Sequence, residues 1–218
     1  MNHERLGKET DGPIAKYLNR KISTRITKFI LSKGVFITPN QASGMSFGIG
    51  LTSSFLYFLV PAWMAGFFVQ AASIVDGVDG ELSRVLGKSS EKGGFLDAVS
   101  DRVVDILIVL SVSELLLNEL GFSHFLFITA ILALSGSLMV SYIHARGEAS
   151  IHVHPAKIGR VPNFASRDVR LFLIFLGSIG SLLDMRSLMI AMIIIAVMSH
   201  LYVISKSVEL YLAKELSG

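Results

Sequence analysis

The chain has no cysteine, few charged residues and long stretches with no charge at all. Without cysteine there are no disulfides, no thiolate nucleophile and no Cys-based zinc or iron–sulfur site. Charged residues make up 17% of the 218 positions and hydrophobic residues 51%, with a mean hydropathy of +0.59. A soluble domain carries about a quarter charged residues, so this composition marks a membrane protein. It leaves no room for a large soluble catalytic domain, and no nucleic-acid partner is expected. The net charge of +3 means little until it is mapped along the chain.

From Gly34 to Val75 there is no Asp, Glu, Lys or Arg, a run suited to two crossings with a turn at Pro61 beside Trp63. Leu120–Ala145 supports one helix, Leu171–Leu183 a shorter one, and Met185–Ile204 the last. Gly94–Leu117 is apolar but interrupted by Asp97, Asp101, Arg102, Asp105 and Glu114. The expected fold is all-α and polytopic, with six transmembrane helices near 40–60, 63–86, 94–117, 122–146, 166–183 and 186–212. Basic residues concentrate in residues 1–33, after the second helix, around the fourth-to-fifth connection and at the C-terminal end. The alternate loops carry only Arg186, which places both termini in the cytoplasm of a multi-pass cell-membrane protein.

Charges fill the first 33 positions, so no signal peptide is expected. Within them Ile14, Leu18, Ile22, Ile26, Phe29 and Ile30 recur at helical spacing, with Lys16, Arg20, Lys21, Arg25 and Lys28 between. This predicts a basic amphipathic helix on the inner membrane surface, the alternative being a packing helix. Two parts follow: residues 1–36, a cytoplasmic segment with the interfacial helix, and residues 37–218, the membrane domain.

The segment DGVDGELSRVLGKSSEKGGFLDAVSDRVVD, from Asp76 to Asp105, carries the chemistry. Asp76 and Asp79 are three apart and Asp97 and Asp101 four apart, so each pair shares a helix face and two adjacent helices can gather all four. Four clustered carboxylates repel one another, and oxygen-only ligands point to Mg²⁺ or Mn²⁺. The competing reading, salt bridges to Arg84 and Arg102, leaves two carboxylates unpaired. Gly77, Gly80, Gly93 and Gly94 leave room for a ligand or a neighbouring helix, with packing alone a rival at Gly94. A two-metal carboxylate site beside Arg84 suits phosphoryl chemistry, and the residues alone leave hydrolysis and transfer both open.

From Asp76 to Asp101 the chain resembles the signature of the CDP-alcohol phosphatidyltransferases, Asp-x2-Asp-Gly-x2-Ala-Arg-x8-Gly-x3-Asp-x3-Asp, through Asp79, Gly80, Arg84, Gly93 and Asp97, with Ser83 where the pattern has Ala. ITPNQAS at 37–43 and SYIHARGEAS at 141–150 are also like the family's first and fourth helices. The resemblance implies a six-helix, dimeric membrane enzyme that cleaves a CDP-linked donor and releases CMP. It further implies two divalent ions on Asp76, Asp79, Asp97 and Asp101, with Asp101 as general base, and CDP contacts from Asp79, Gly80, Ser83 and Arg84.

The acceptor is expected at the second basic cluster, Arg146, Lys157, Arg160, Arg167 and Arg170, since arginine grips phosphate with paired hydrogen bonds. The ordinary inner-leaflet bias explains some of these residues without a substrate. SRDVR at 166–170 resembles relatives that use phosphorylated inositol, and DGPIAKYLNRKISTRIT at 11–27 resembles the membrane half of the di-myo-inositol phosphate phosphate synthases. The expected substrates are therefore CDP-diacylglycerol or CDP-inositol as donor and inositol phosphate as acceptor. Glycerol phosphate is the alternative acceptor, and a cation transporter is the rival class. Many such synthases carry a preceding cytidylyltransferase domain, so this chain is either a free-standing transferase or a part of one. His152 and His154 read as solvated, Trp63 and Tyr142 as interface markers, and the Gly and Ser residues of 44–54 as close packing. Asp105 and Glu114 receive no role.

Overall fold

Short polar side chains start the long helices. Thr38 and Gln41 close a reciprocal capping box ahead of α2 (Pro39–Leu56), Ser90 accepts from Gly93 N at the start of α4 (Glu91–Leu120), and Ser123 accepts from Leu126 N at α5 (His124–Ile151). Pro61 precedes α3 (Ala62–Leu86), which ends where Gly87 takes a left-handed conformation at φ 61°. These elements belong to a computed structural model that describes residues 7–33, 37–88 and 90–215. The remaining elements are α1 (Arg20–Ser32), led by a π-helical turn at Ala15–Asn19, a 3₁₀ turn at Pro155–Lys157, α6 (Arg167–Gly180) and α7 (Arg186–Glu215). No strand occurs among the described residues. The expected boundary at residue 36 and both chain ends lie outside them.

The helices differ from expectation at their ends. α2 stops at Leu56, and Tyr57 turns inward to share a 2.7 Å hydrogen bond with Ser178. α4 begins at Glu91 because Ser90 caps it, and α5 runs on to Ile151, carrying Arg146 and Glu148 within the helix. α6 has 14 residues, about 21 Å at 1.5 Å per residue, short of a ~30 Å hydrocarbon core. Length and composition alone qualify α5 and α7 as spans among the described residues.

α3 is the hub, packed against α1, α2 and α6, while α5 pairs with α7 and α4 lies against α2 and α5. Val69, Ile108, Val112, Ile174, Leu188 and Ile195 centre the main core. Small residues let the helices close: a Cβ on Gly50 would meet Val104 at 2.6 Å, whereas Gly44 and Gly48 face open space. Close packing thus explains part of the 44–54 stripe.

The N-terminal helix lies against α3 with its polar side inward. Ser23, Thr24 and Thr27 are buried there, while Ile22, Ile26 and Phe29 point away from the protein. The apolar stripe is outward except at Ile30, which is buried in a cluster with Ala42, Val78 and Leu82, and Arg20 has left the basic surface to enter the protein's interior, pairing with Asp11 and Glu81.

Where α6 crosses α7, a Cβ on Gly177 would stand 2.7 Å from Ala191 Cβ and 3.0 Å from the backbone of Leu188. Gly177→Ala is therefore expected to cost about 1–3 kcal/mol in thermal unfolding of the purified protein, because backbone cannot yield. Gly48→Ala, in open space, should leave stability equal or raise it by up to ~1 kcal/mol through helix propensity.

Candidate active site

α3 contributes Asp76 and Asp79, and α4 contributes Asp97, Asp101 and Asp105. Asp76, Asp97 and Asp101 each place a carboxylate oxygen within 4.8 Å of the other two. Asp79 is buried beside them, hydrogen-bonded by the Ser43 hydroxyl of α2 and lying against Asp97. The helix spacing thus brings the four expected carboxylates together, with Asp79 turned toward α2. A trio of converging carboxylate oxygens is the donor set a hard divalent cation requires, and the residues fit one.

Positive charge reaches this cluster from α6. Arg167 Nη1 lies 3.3 Å from Asp76 and 3.0 Å from Asp101, and its Nε lies 2.9 Å from Asp105. Arg170 is buried, donating to Asp105 at 3.2 Å and to Ala165 O at 2.7 Å. Arg102 lies 3.5 Å from Asp105 and 3.8 Å from Asp101, and donates to the Ser141 hydroxyl. Salt bridges from Arg102 and Arg167 therefore engage part of the cluster. Asp105, which sequence left without a role, is the buried centre of three arginines. Its partners Arg167 and Arg170 stand 62 and 65 positions away.

The groups bound a cavity of about 870 Å³ that reaches from the Asp cluster to Ser141, His144 and His154. Gly80 lines it with Arg84 laid over it, the Arg84 Nη1 3.2 Å from where a Cβ would stand; Ser83 and Arg84 are not in the wall. Gly93 is explained by its cap to Ser90, and Gly94 faces open space. Of the five basic residues expected at the acceptor, Arg167 and Arg170 line the cavity and Arg146, Lys157 and Arg160 do not. Lys157 pairs with Glu9 at 2.7 Å, and Arg146 and Arg160 are exposed. The loop carrying Arg160 is stapled by buried Lys206, whose Nζ donates to Ile158 O, Val161 O and Glu209. His154 is half-buried rather than solvated, its ring 4.9 Å from that of His144, and burial pushes it below the ordinary histidine value. His152 is exposed, and Glu114 accepts from Asn118 at the surface.

Sequence reasoning missed the cavity's roof. Residues 8–20 cross from α3 to the start of α6, with Asp11 gripping Arg20 through both carboxylate oxygens and Ala15 N donating to Asp168 at 2.6 Å. Gly12 is needed for that approach, since any Cβ would collide with Ser166 and Asp168. Arg20 also donates to Gly77 O and to Glu81, whose Oε1 accepts from Ser23 and Thr24 as well. Burial opposes the Arg20 charge, but Asp11 and Glu81 outweigh it and hold the proton more firmly than in an ordinary arginine. Glu81 carried a readable signal, an acid within an apolar helix.

A family model described as CDP-alcohol phosphatidyltransferase matches residues 36–204. The chain belongs to this family. The family is one of membrane-associated transferases. It is 38% identical over 169 residues to a bifunctional IPC transferase and DIPP synthase of Archaeoglobus fulgidus, covering 76% of this chain and 32% of that protein. An archaetidylinositol phosphate synthase of Pyrococcus horikoshii is 35% identical over 158 residues, 71% of this chain and 75% of that one. The chain spans about a third of the length of the bifunctional relatives. The Mycobacterium tuberculosis phosphatidylinositol phosphate synthase with CDP-DAG bound shares the fold, with a TM-score of 0.71 at 22% identity over 88% of this chain and 94% of that one. The same synthase in complex with manganese and citrate gives 0.67 at 22% identity, covering 87% and 89%.

Removing Glu81 would leave the Arg20 charge and two hydroxyls without their shared acceptor. Glu81→Ala is therefore expected to cost about 3 kcal/mol in thermal unfolding, with Glu81→Gln losing less because it still accepts hydrogen bonds.

Proposed function

We propose that this member of the family moves a substituted phosphoryl group from a CDP-linked donor to the hydroxyl of a phosphorylated polyol, inositol phosphate, and releases CMP. The observation that carries this reading is the meeting, in the lining of one cavity, of a metal-compatible carboxylate trio and two arginines able to bind an anion. The names of the similar proteins, which mention inositol phosphate or DIPP products, support the same acceptor class.

Asp76, Asp79, Asp97 and Asp101 would hold two divalent ions, Mg²⁺ or Mn²⁺, which supply charge neutralisation for the donor diphosphate. Gly80 lines the cavity beside the carboxylates, and Asp79, Gly80, Ser83 and Arg84 would contact the CDP part of the donor. Arg167 and Arg170 would meet the acceptor phosphate, while the exposed Lys157, Arg160 and Arg146 would add to the positive surface charge that attracts anions. Asp101 is the member of the trio that Arg167 approaches most closely, so an acceptor held by Arg167 would bring its hydroxyl to that carboxylate. Asp101 takes the hydroxyl proton while the acceptor oxygen bonds to the β-phosphorus. The bond from that phosphorus to the oxygen shared with the α-phosphate breaks, and CMP leaves.

Six crossings with both termini and the site on the cytoplasmic side fit the distribution of basic residues. The outward Leu18, Ile22, Ile26 and Phe29 of the N-terminal helix suit a membrane surface. One feature favours a lipid-linked donor over a soluble one: Phe95, in the cavity wall, is largely exposed beside Leu96 and Val99, an apolar exit for acyl chains.

The test is CMP release with Mg²⁺, offering CDP-diacylglycerol or CDP-inositol in turn, each with and without inositol phosphate. Release that requires inositol phosphate supports the reading, and the productive donor assigns the product as phospholipid or soluble di-inositol compound. No CMP with either donor overturns the substrate assignment. Asp101→Asn should lower turnover by about 10²–10⁴-fold while CDP binding remains measurable, and a near-normal rate would remove Asp101 as base.

A further inference from the structure

Arg167 makes two kinds of contact with the acidic residues. Its Nε is held by Asp105, a buried carboxylate outside the converging trio that Arg170 and Arg102 also grip. Its Nη1 reaches Asp76 Oδ2 and Asp101 Oδ1, one on each of the two helices that form the trio. The guanidinium therefore has an anchored end and a working end. Among the described ion pairs no other arginine spans both helices: Arg102 stays on α4 and Arg170 touches only Asp105. The backbone at this point is fixed, because Asp168 next to it is tied to Ala15 N.

We propose that Arg167 is a tethered counter-cation that competes with the divalent ions for Asp76 and Asp101, so that this one side chain sets the metal affinity of the site. A divalent ion on Asp76, Asp97 and Asp101 would draw on two of the carboxylates that Nη1 holds, and like charges at such distances expel one another. Rotation about the Asp105 anchor then moves Nη1 away from the trio while the side chain stays at the cavity. Resting on the acceptor reading given above, the released Nη1 is the donor that meets the incoming phosphate, so metal loading and acceptor capture become linked steps.

The test reads metal binding with no substrate present: Mn²⁺ affinity of the purified full chain, by titration with electron paramagnetic resonance detection of free Mn²⁺. Arg167→Gln should bind Mn²⁺ about tenfold tighter than the parent, while Arg102→Gln, which removes a nearby charge without touching Asp76, should change it less than about threefold. A merely structural role would weaken metal binding in the Gln variant. Affinity that is unchanged or weaker in Arg167→Gln, or an equal gain in both variants, overturns the proposal. If Arg167→Gln does not fold, Arg167→Lys serves in its place, with an intermediate tightening expected and no tightening counting against it. A parent chain that binds no Mn²⁺ removes the metal reading itself along with this proposal, whereas binding without the Arg167 effect removes this proposal alone.

Discussion

Five carboxylates on two adjacent helices cannot stay together unless positive charge is brought to them. Two unit charges 4.8 Å apart repel by about 3.5 kcal/mol at an effective dielectric near 20, and the trio contains three pairs at or within that separation. The rest of the architecture answers that repulsion. α6 delivers Arg167 and Arg170, α4 supplies Arg102 from within, and α2 offers the Ser43 hydroxyl to Asp79. The shortness of α6 fits this task, because its first turn must reach the cluster while its remaining length packs on α3 and α7.

A second ring of compensation lies behind the first. Glu81 is fully buried one helical turn past Gly77, and its charge is met by Arg20 from a segment that precedes the whole bundle. Arg20 in turn is met by Asp11, and the chain between them crosses to Asp168 beside Arg167. The residues before α1 therefore belong to the site, because Asp11 and Ala15 hold Arg20 and Asp168 in the positions from which Glu81 and the start of α6 are met. This also explains why the polar side of the N-terminal helix faces inward: Ser23 and Thr24 are acceptor-seeking hydroxyls for Glu81, and burying them elsewhere would leave them unpaired.

The legible part of the site was the part written in local spacing. Asp76, Asp79, Asp97 and Asp101 recur at three and four residues, so helix geometry alone puts them on facing surfaces. Asp105 continues the same spacing from Asp101, yet its meaning depends on arginines more than sixty residues away. The periodicity of Leu18, Ile22, Ile26 and Phe29 gave the helix but not its orientation, which depends on what α3 presents to it. Arg146, Lys157 and Arg160 matched the composition of a phosphate pocket, but that composition is shared with any inner-leaflet loop. Only the fold separates them from Arg167 and Arg170. The helix ends were displaced by caps, Ser90 above all, that short-range hydropathy does not weigh.

Lys206 and Arg167 show why residue type matters as much as charge. Lys206 serves a single point where Ile158 O, Val161 O and the Glu209 carboxylate converge, and a compact ammonium with three donors satisfies all of them. Arg167 serves three carboxylates spread over α3 and α4, and only a planar fork with donors on separate nitrogens can span them. The lysine therefore fixes a loop in one arrangement. The arginine distributes its hold, so that one contact can be surrendered while another is kept. A carboxylate cluster that keeps its shape while one contact is exchanged needs the second kind of residue beside its acids and the first kind in the scaffold that supports them.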